Sequence, residues 1–455
     1  MSALAARPAD EFAAAGHVPL VGRVGDAVLF RNSNGVVTVT RFIADVARCA
    51  DLLGDAGHVV NCCVDRYWFT VGFAAAVLRG QITLLTGDHA ARGLAALAGR
   101  YGSVRVISDR RQGALPLPQD AIGWWDSDVT GAPVPVPEIP ADRVAVIAFT
   151  SGSTGTPVGT AKTFAELAAR SEAAAARFGF EAAGSATIIG TVPPHHMYGF
   201  ETTILLPLHA PVASWRDPVF YPADLHAPLA VARGGAVLVT TPLQLRAMLD
   251  VVPAHPPAAV ISATAPLDAA LAAEIERRWN TRVLEIFGAT EVGSIASRRT
   301  VVDAAWSVYP GVRLAGDPPM VSAPGAPARV LNDLIELGAD GTSFRLMGRS
   351  GDIVKLGGRR ASLAGLTRIL TDMPGVQDGI FLAPDDLDTR PTARLLALAV
   401  APTRSASDLL AALRDRIDPI FLPRPLLCVP QLPRNPLGKL SREALLALAA
   451  GAGPQ

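Results

Sequence analysis

A glycine- and hydroxyl-rich loop is the most informative feature of the sequence. The stretch FTSGSTGTPVGTAK, residues 149–162, follows the apolar run VAVIAF. Glycines let backbone N–H groups turn toward a bound anion, and hydroxyl side chains donate further hydrogen bonds. The GxxxxGK[ST] pattern of GTPases and motors does not fit this stretch. The sequence therefore predicts a different phosphate-binding loop, with a polar surface loop as the alternative. The predicted ligands are Thr150, Ser151, Gly152, Ser153, Thr154 and Gly155.

Three further segments place reactive side chains at the ends of predicted strands or in loops. FGATE, residues 287–291, ends an apolar strand, where ligands collect in open α/β sheets. LNDLIEL places Asp333 between strand-like residues, and LPRNPLGKLSR places Lys439 after a glycine in a loop marked by prolines. Taken singly, Glu291 is also compatible with a helix start, Asp333 with a turn residue and Lys439 with a solvated charge.

The order of these segments carries a family resemblance. The loop, FGATE, the Asp333 segment, GRSGDIVK (348–355) and PRNPLGK follow one another as they do in the adenylate-forming, AMP-binding superfamily. That superfamily holds acyl-CoA synthetases, luciferases and the adenylation domains of nonribosomal peptide synthetases, and the resemblance covers about residues 58–445. It implies a ligase that uses ATP and Mg²⁺ to convert a carboxylic acid to acyl-AMP. The acyl group would then pass to the thiol of CoA or of an acyl carrier protein.

The resemblance also implies roles for individual residues. The loop would hold the β- and γ-phosphates of ATP, and Glu291 would help to hold Mg²⁺, a hard cation that prefers oxygen ligands. Lys439 would bridge the substrate carboxylate and the α-phosphate, since attack of one anion on another needs a cation in the transition state. The remaining implied roles are nucleotide contacts for Gly288 and Thr290, ribose contacts for Asp333 and Arg349, and a hinge at Asp352.

The segment HHMYGF, residues 195–200, is predicted to form part of the acyl pocket. His196 and Gly199 fit the H-x-x-G pattern of acyl-CoA synthetases, in which the region lines the acyl site and assists with ATP. A lone histidine is more often structural, but two adjacent ones beside Met, Tyr and Phe favour a pocket wall. The aspartate that binds α-amino acids in peptide synthetases is absent. The predicted lining is His195, Tyr198, Gly199, Phe200 and Phe287, with His196 as a catalytic candidate.

The sequence departs from the family pattern at two places. Val158 stands where the phosphate loop usually has lysine, so Lys162 is predicted to replace that charge, with a solvated helix-start lysine as the alternative. Residues 364–367 lack an acid that is usual after the hinge. A weaker resemblance, to short ligases of aryl polyene and xanthomonadin-type pigment clusters, implies a hydroxybenzoate or hydroxycinnamate substrate. A non-catalytic nucleotide-binding homologue and a ligase that stops at acyl-AMP or uses an amine acceptor stay open.

The segments that must position these residues predict an α/β fold. Strand-like and helix-like segments alternate from residue 58 to 108 and again from 186 to 288, which predicts parallel sheets layered with helices. Strands are predicted over 36–40, 58–64, 82–85 and 104–108, and helices over 68–80, stopped by Gly80, and over 242–252. An N-terminal domain over 1–351 and a small mobile α+β domain over 352–455 are predicted. The 41 basic and 41 acidic residues balance, so no nucleic-acid partner is indicated. Without an apolar run of about 20 residues or a regular cysteine framework, a cytoplasmic protein without a membrane span is expected.

Overall fold

The computed structural model describes residues 16–110, 115–123, 135–150, 158–180, 186–316, 318–349, 353–356, 359–384, 394–434 and 440–451. Residues 151–155, Asp352 and Lys439, for which roles are predicted, lie outside the described residues. The chain divides into two compact units. The first comprises Met1–Leu314, Val321–Arg329 and Gly341–Ser343, and the second comprises Ala315–Met320, Val330–Asp340 and Phe344–Gln455.

The helices are numbered in chain order. They are α1 (Val39–Leu52), α2 (Arg66–Leu78), α3 (Ala91–Tyr101), α4 (Phe164–Phe178), α5 (Met197–Gly199), α6 (Leu206–His209), α7 (His226–Ala232), α8 (Pro242–Ala247), α9 (Ala269–Trp279), α10 (Leu363–Thr371), α11 (Ala406–Arg414) and α12 (Arg442–Gly451). A π-helical segment, Phe200–Leu205, joins α5 to α6, and 3₁₀ turns cover Pro222–Leu225 and Pro419–Phe421.

The strands are numbered in the same way. They are β1 (His17–Pro19), β2 (Val28–Asn32), β3 (Gly35–Thr38), β4 (His58–Asn61), β5 (Ile82–Leu85), β6 (Val104–Ser108), β7 (Gln119–Ala121), β8 (Glu138–Pro140), β9 (Val144–Thr150), β10 (Val158–Thr163), β11 (Ala186–Gly190), β12 (Val212–Trp215), β13 (Ala236–Thr240), β14 (Ala259–Ser262), β15 (Arg282–Ala289), β16 (Gly293–Arg298), β17 (Trp306–Val308), β18 (Arg313–Ala315), β19 (Met320–Ala323), β20 (Ala326–Val330), β21 (Asp333–Leu337), β22 (Ser343–Arg349), β23 (Ile353–Leu356), β24 (Arg359–Ser362), β25 (Asp378–Leu382), β26 (Leu396–Val400) and β27 (Leu426–Cys428).

Two largely parallel sheets form the frame of the first unit. One has the strand order β10-β9-β5-β4-β6-β7, in which β10 alone runs antiparallel to its neighbour. The other contains the run β17-β16-β15-β14-β13-β11-β12-β2-β3, parallel from β15 to β2. The strands are short, rich in branched apolar residues and joined by helices, a combination that favours parallel pairing. The α/β fold class predicted from the sequence is therefore observed.

Local signals explain where the helices of the first unit begin and end. Thr38 caps α1, so the strand predicted over 36–40 is too long and its last two residues are helical. Asp65 accepts hydrogen bonds from the backbone N–H groups of Tyr67 and Trp68 and thereby fixes the start of α2. That helix ends at Leu78, before the predicted stop at Gly80, whose φ is 71°. The strand predicted over 58–64 covers only the four residues of β4.

The second unit has its own small sheets and core. Strand β21 pairs antiparallel with β22, β23 with β24, and β25 with β26, while β27 joins β26 in parallel. Leu366 and Leu370 of α10 pack with Phe381 and with Leu409 and Leu413 of α11. The predicted hinge, with its boundary at 351/352, stays a prediction. None of the helices in the described part of the chain has the length and apolar character that a membrane span requires.

Candidate active site

A tight hairpin presents the predicted magnesium residue. Strands β15 and β16 pair antiparallel, with Gly288 opposite Ser294 and Ala289 opposite Gly293. A Cβ atom at position 288 would lie 2.4 Å from the Gly293 carbonyl oxygen, so the close approach of the two strands requires glycine there. Thr290 and Glu291 occupy the turn, and both are partly exposed. The hairpin therefore holds a hydroxyl and a carboxylate side by side, a pair suited to a hard cation and phosphate oxygens.

The Lys162 ammonium group lies beneath this turn. The side chain is only 1% exposed, and its Nζ lies 2.6 Å from the Glu166 carboxylate on the first turn of α4. The same Nζ donates a hydrogen bond of 3.2 Å to the backbone carbonyl oxygen of Glu291. The alternative of a solvated lysine is therefore wrong. Lys162 holds the backbone of the turn, and its predicted contact with ATP phosphates stays a prediction.

Two more buried charges hold the same hairpin. Arg170 on α4 donates a hydrogen bond of 3.2 Å to the Val292 carbonyl oxygen. Glu201, in the π-helical segment, accepts hydrogen bonds from both the backbone N–H and the hydroxyl of Ser294. Burial raises the pKa of the Glu201 carboxyl, against the opposing influence of Ser294 and of the positive charges of Arg170 and Lys162. Backbone atoms of residues 291, 292 and 294 are thus fixed by three ionisable side chains.

A cavity adjoins the hairpin between α4, the π-helical segment and the second sheet. The part of it that a water-sized sphere can occupy is about 20 Å³, which is room for about one water molecule; the surrounding empty space of about 380 Å³ includes open solvent. Four neighbouring strands, β11, β13, β14 and β15, each contribute one branched side chain to one wall. The apolar lining includes Phe178, Ile188, Val239, Ile261 and Ile286, and the polar lining includes Arg170, Glu201, Thr202, Ser294 and Tyr309.

The predicted pocket residues 195–200 have different positions. The Tyr198 hydroxyl donates to the Ile261 carbonyl oxygen at 2.9 Å and lies 3.2 Å from that of Thr240, so it ties the segment to the ends of β13 and β14. Gly199 packs so closely on Pro193 that a Cβ atom would lie 2.2 Å from the proline carbonyl oxygen. Phe200 is fully buried and contacts core phenylalanines of α2. None of these three residues is part of the cavity lining described above.

The remaining predicted pocket residues are aromatic side chains in two places. The His195 ring lies 4.6 Å from that of His196 in a tilted arrangement and 5.0 Å from that of His89 in an edge-to-face arrangement. Phe287 contacts Trp306, with ring centroids 5.5 Å apart. The histidines also lie against Gly87, where a Cβ atom would be 3.1 Å from the His196 ring. Their assignment to substrate binding stays a prediction.

The burial of the histidine cluster predicts a pH-dependent contribution to stability. Burial lowers the pKa of His195 to about 3, and His196 and His89 act in the same direction. In the unfolded chain a histidine titrates near 6.5, so below that pH the unfolded state binds more protons and stability falls. We expect a lower free energy of unfolding, and hence a lower melting temperature, at pH 5 than at pH 7.5. This group contributes at most about 1.4 kcal/mol per pH unit to the change in free energy. His195→Gln should reduce the difference.

Thermal unfolding at several pH values, followed by circular dichroism, checks this expectation. The exposed His255→Gln is the matched control and should leave the pH dependence as it is in the natural chain. An unchanged pH dependence in His195→Gln would contradict a contribution from His195.

The predicted ribose residues lie opposite each other in the second unit. Asp333 begins β21, Arg349 ends β22, and the register pairs the two positions. Asp333 is buried, with 9% of its surface exposed. The sequence pattern thus places an acid and a base as cross-strand neighbours, which is compatible with one nucleotide contact site. Their roles in ribose binding stay predictions.

Sequence reasoning did not identify the buried polar residues around the hairpin. Arg170 lies within the alanine-rich helix AARSEAAAARF, and Glu201 interrupts the apolar run GFETTILLPL. The available signal was a charged residue inside an otherwise apolar segment. Such a segment is usually buried, and a buried charge normally has a partner. Tyr309 and Ser294 carry no such signal, because their types are common at many kinds of position.

Comparison with known proteins supports the family that the order of the motifs predicts. A family model described as AMP-binding enzyme matches residues 58–341. A 4-coumarate–CoA ligase of Rhodobacter capsulatus is 30% identical over 270 residues, which cover 59% of this chain and 66% of that protein. A second 4-coumarate–CoA ligase, of Halorhodospira halophila, is 29% identical over 316 residues, covering 64% of this chain and 73% of the relative. The chain thus spans about two thirds of the length of the first of these relatives.

Solved structures show the same fold. ATP-bound MatB of Rhodopseudomonas palustris is 20% identical with a TM-score of 0.78, and the match covers 97% of this chain and 98% of MatB. The O-succinylbenzoate coenzyme A synthetase MenE of Bacillus subtilis, in complex with AMP, is 15% identical with a TM-score of 0.76, covering 92% and 95% of the two chains. At such low identity these matches establish the fold alone.

Proposed function

Because the chain belongs to the AMP-binding enzyme family, we propose that it couples an aromatic carboxylic acid to AMP and then transfers the acyl group to a thiol. The family and the class of acid–thiol ligase that the motifs predict are confirmed by the family model and by relatives named CoA ligases. Family membership also supports the use of ATP and of CoA. The aromatic acid, the Mg²⁺ ion and a carrier-protein acceptor are the proposed details.

The single observation that supports the proposal most directly is the hairpin turn that carries Thr290 and Glu291. Its backbone is fixed by hydrogen bonds from Lys162 and Arg170 and to Glu201. A hydroxyl and a carboxylate on a fixed turn suit a hard cation and phosphate oxygens, so the phosphates of ATP are proposed to bind there.

The names of two relatives support an aromatic acyl group, because both are called 4-coumarate–CoA ligases. An α-amino acid would need a buried carboxylate as partner for its ammonium group. The buried carboxylate of Glu201 already accepts hydrogen bonds from Ser294 through both oxygens. This contact is consistent with an acid that carries no ammonium group.

The proposed reaction has two balanced steps. A carboxylate oxygen attacks the α-phosphorus of ATP, an acyl–phosphate bond forms, and pyrophosphate leaves with the electrons of the broken P–O bond. A thiolate then attacks the acyl carbon, and AMP leaves as the thioester forms. Glu291 and Thr290 fit a Mg²⁺ ion by donor type, and such an ion would neutralise phosphate charge. The chain's own part is to place the acid, to fix the turn and to supply Lys439.

An ATP–pyrophosphate exchange assay with a panel of acids tests the adenylation step. We expect exchange with hydroxybenzoates and hydroxycinnamates and little with amino acids or long-chain fatty acids. Mass spectrometry of products with CoA, with a loaded carrier protein or with an amine then identifies the acceptor. Absence of exchange with every acid would favour a non-catalytic nucleotide-binding homologue. An amide product, or free acyl-AMP alone, would favour a ligase that uses an amine acceptor or stops at acyl-AMP.

Asp333→Ala is expected to weaken binding of ATP and AMP with little change in affinity for the acid. A buried carboxylate that accepts hydrogen bonds from both ribose hydroxyls would contribute roughly 1.5–3 kcal/mol, or about 10- to 100-fold in affinity. Glu336→Ala, an exposed acid on the same strand, is the control. The measurement is the Michaelis constant for ATP and for 2′,3′-dideoxy-ATP. If the analogue weakens the variant as much as it weakens the natural chain, Asp333 does not contact the ribose.

A further inference from the structure

A row of three side chains crosses strands β15, β16 and β17 shortly before the turn that carries Thr290 and Glu291. Glu285 lies opposite Arg298 in the register of β15 and β16. The antiparallel register of β16 and β17, continued by one residue, places Trp306 opposite Arg298. Residues directly opposite each other on neighbouring strands have their side chains on the same face of a sheet. Glu285, Arg298 and Trp306 therefore form one cross-strand row on one face.

The Glu285 carboxylate fixes the first end of this row. Glu285 is buried, and its Oε1 accepts a hydrogen bond of 2.9 Å from the backbone N–H of Leu267. Its Oε2 accepts hydrogen bonds of 2.8 Å from Nε of Arg298 and of 3.0 Å from the hydroxyl of Thr300. Nη2 of Arg298 also lies 2.8 Å from Oε2. Because two nitrogens of one guanidinium group reach the same carboxylate, the plane of that group is held in place.

The fixed guanidinium group lies against the aromatic end of the row. Cζ of Arg298 is 4.4 Å from the centroid of the Trp306 ring, which is a cation–π contact. The Trp306 ring is buried and contacts Phe287, with centroids 5.5 Å apart and planes inclined by 54°. Phe287 lies two residues after Glu285 on β15 and so on the same face. The residue opposite Phe287 is Ala296, whose small side chain leaves room for the two rings to meet.

The row also holds the loop that follows the neighbouring strand. Leu267 lies in the loop after β14, and β14 and β15 are parallel, so their carboxyl ends lie at one edge of the sheet. Ligands bind at this edge in open α/β sheets. Thr264 in the same loop has a φ of 81°, a conformation that is costly for a β-branched residue and that is found mainly at functional sites. Glu285 thus connects a strained loop to the strand of Phe287.

We propose that Glu285, Arg298 and Trp306 are positioning residues that hold the Phe287 ring against a planar ring of the ligand. The Phe287 side chain is partly exposed, so part of its surface can contact a ligand. Aromatic rings pair favourably in tilted or offset arrangements. The inference rests on the proposed ligase function, in which two ligand groups supply a planar ring, namely the base of ATP and the aromatic acid. The three positioning residues act through Phe287 and do not themselves contact the ligand.

Substitution of Trp306 tests the proposal through the two Michaelis constants. In the pyrophosphate exchange assay we expect Trp306→Leu to raise KM for one substrate about 5- to 10-fold with a smaller change in kcat. Trp306→Phe keeps a ring and should recover most of the loss. A rise in KM for ATP identifies the base as the ring that Phe287 contacts, and a rise in KM for the acid identifies the acyl group. Trp279→Phe, at a buried tryptophan in the core beneath α9, is the control and should lower the melting temperature without raising either KM.

A double-mutant cycle shows whether Trp306 acts through Phe287. If it does, kcat/KM of the variant that combines Phe287→Leu with Trp306→Leu should lie within about 2-fold of Phe287→Leu alone. Arg298→Lys keeps the charge beside Glu285 but lacks the flat guanidinium group, so it serves the same cycle if Trp306→Leu does not fold.

The outcomes separate this proposal from the ligase function. Single effects that multiply in the double variant, or a fall in kcat with both KM values unchanged, overturn the positioning role alone. Absence of exchange with every acid in the natural chain contradicts the ligase function. The cycle is then measured on the dissociation constants of ATP and of 4-hydroxycinnamate, where independent effects again overturn the positioning role and coupled effects support it.

Discussion

Lys439→Ala is expected to abolish most acyl-AMP formation while sparing thioester formation from supplied acyl-AMP. In the first step a carboxylate approaches a phosphate, and a cation between them stabilises the transition state. Losing one such contact commonly costs about 3–4 kcal/mol, or about 10²- to 10³-fold in rate. In the second step a thiol attacks an acyl carbon, and no second anion has to be brought to the carboxylate.

The two half-reactions are measured separately. Pyrophosphate exchange reports the first, and single-turnover thioester formation from synthetic acyl-AMP reports the second. Lys439→Arg keeps the charge and should recover part of the exchange. An equal loss in both half-reactions would show that Lys439 has a structural or shared role instead.

The second large effect is expected for Lys162→Ala. The substitution leaves the Glu166 carboxylate buried without its cation, and breaking such a pair by removing one partner costs about 3–5 kcal/mol. It also frees the Glu291 backbone, so adenylation should slow and the Michaelis constant for ATP should rise. Melting temperature and exchange kinetics are the measurements.

Two further variants distinguish the possible roles of this lysine. Lys162→Met combined with Glu166→Gln removes both charges and should restore much of the stability, though not the exchange rate. Val158→Lys in the Lys162→Ala background should lower the Michaelis constant for ATP if Lys162 supplies the missing loop charge. If Lys162 acts only by holding the turn, Val158→Lys will not help. If the Lys162→Met, Glu166→Gln variant has the same kinetics as the natural chain, Lys162 neither supplies the missing loop charge nor acts by holding the turn.

The composition of the chain adds weight to these two positions. Of its 41 basic residues only Lys162, Lys355 and Lys439 are lysines, and the other 38 are arginines. Because nearly all cationic side chains of the chain are arginines, a lysine at a given position suggests that a compact ammonium group is needed there; the two side chains differ in shape and hydration. Lys162 and Lys439 are two of the three lysines.

Most of the architecture could be predicted because it follows from local patterns. The strands at 82–85 and 104–108 were readable residue by residue from their branched apolar side chains and flanking turns. The strand predicted over 36–40 was wrong at its end, since the Thr38 cap outweighs the β-propensity of Val39. The helix predicted over 242–252 ends at Ala247, because periodicity does not fix where a helix stops.

The site was predictable only where residue types are specific to a chemistry. Roles could be predicted for the FGATE and Asp333 segments because the order of the segments is distinctive, and those roles stay predictions. Arg170, Glu201 and Tyr309 come from three separate segments, the last of them more than 100 residues from the other two, and no local pattern encodes such a juxtaposition. Val158 suggested a missing charge, but the burial of Lys162 beneath the Glu291 turn needed the structure.

The π-helical segment Phe200–Leu205 has a consequence for how the candidate site could change during evolution. A π turn contains one residue more than the corresponding α turn. Deleting a single residue within it would restore regular helix and rotate the residues before the deletion by about 100° about the axis relative to the residues after it. If the helix after the deletion keeps its place, Glu201 turns away from Ser294, and the hairpin loses one of the three side chains that fix it. One codon lost in this segment would thus loosen the turn of Thr290 and Glu291 without altering the frame of the sheets.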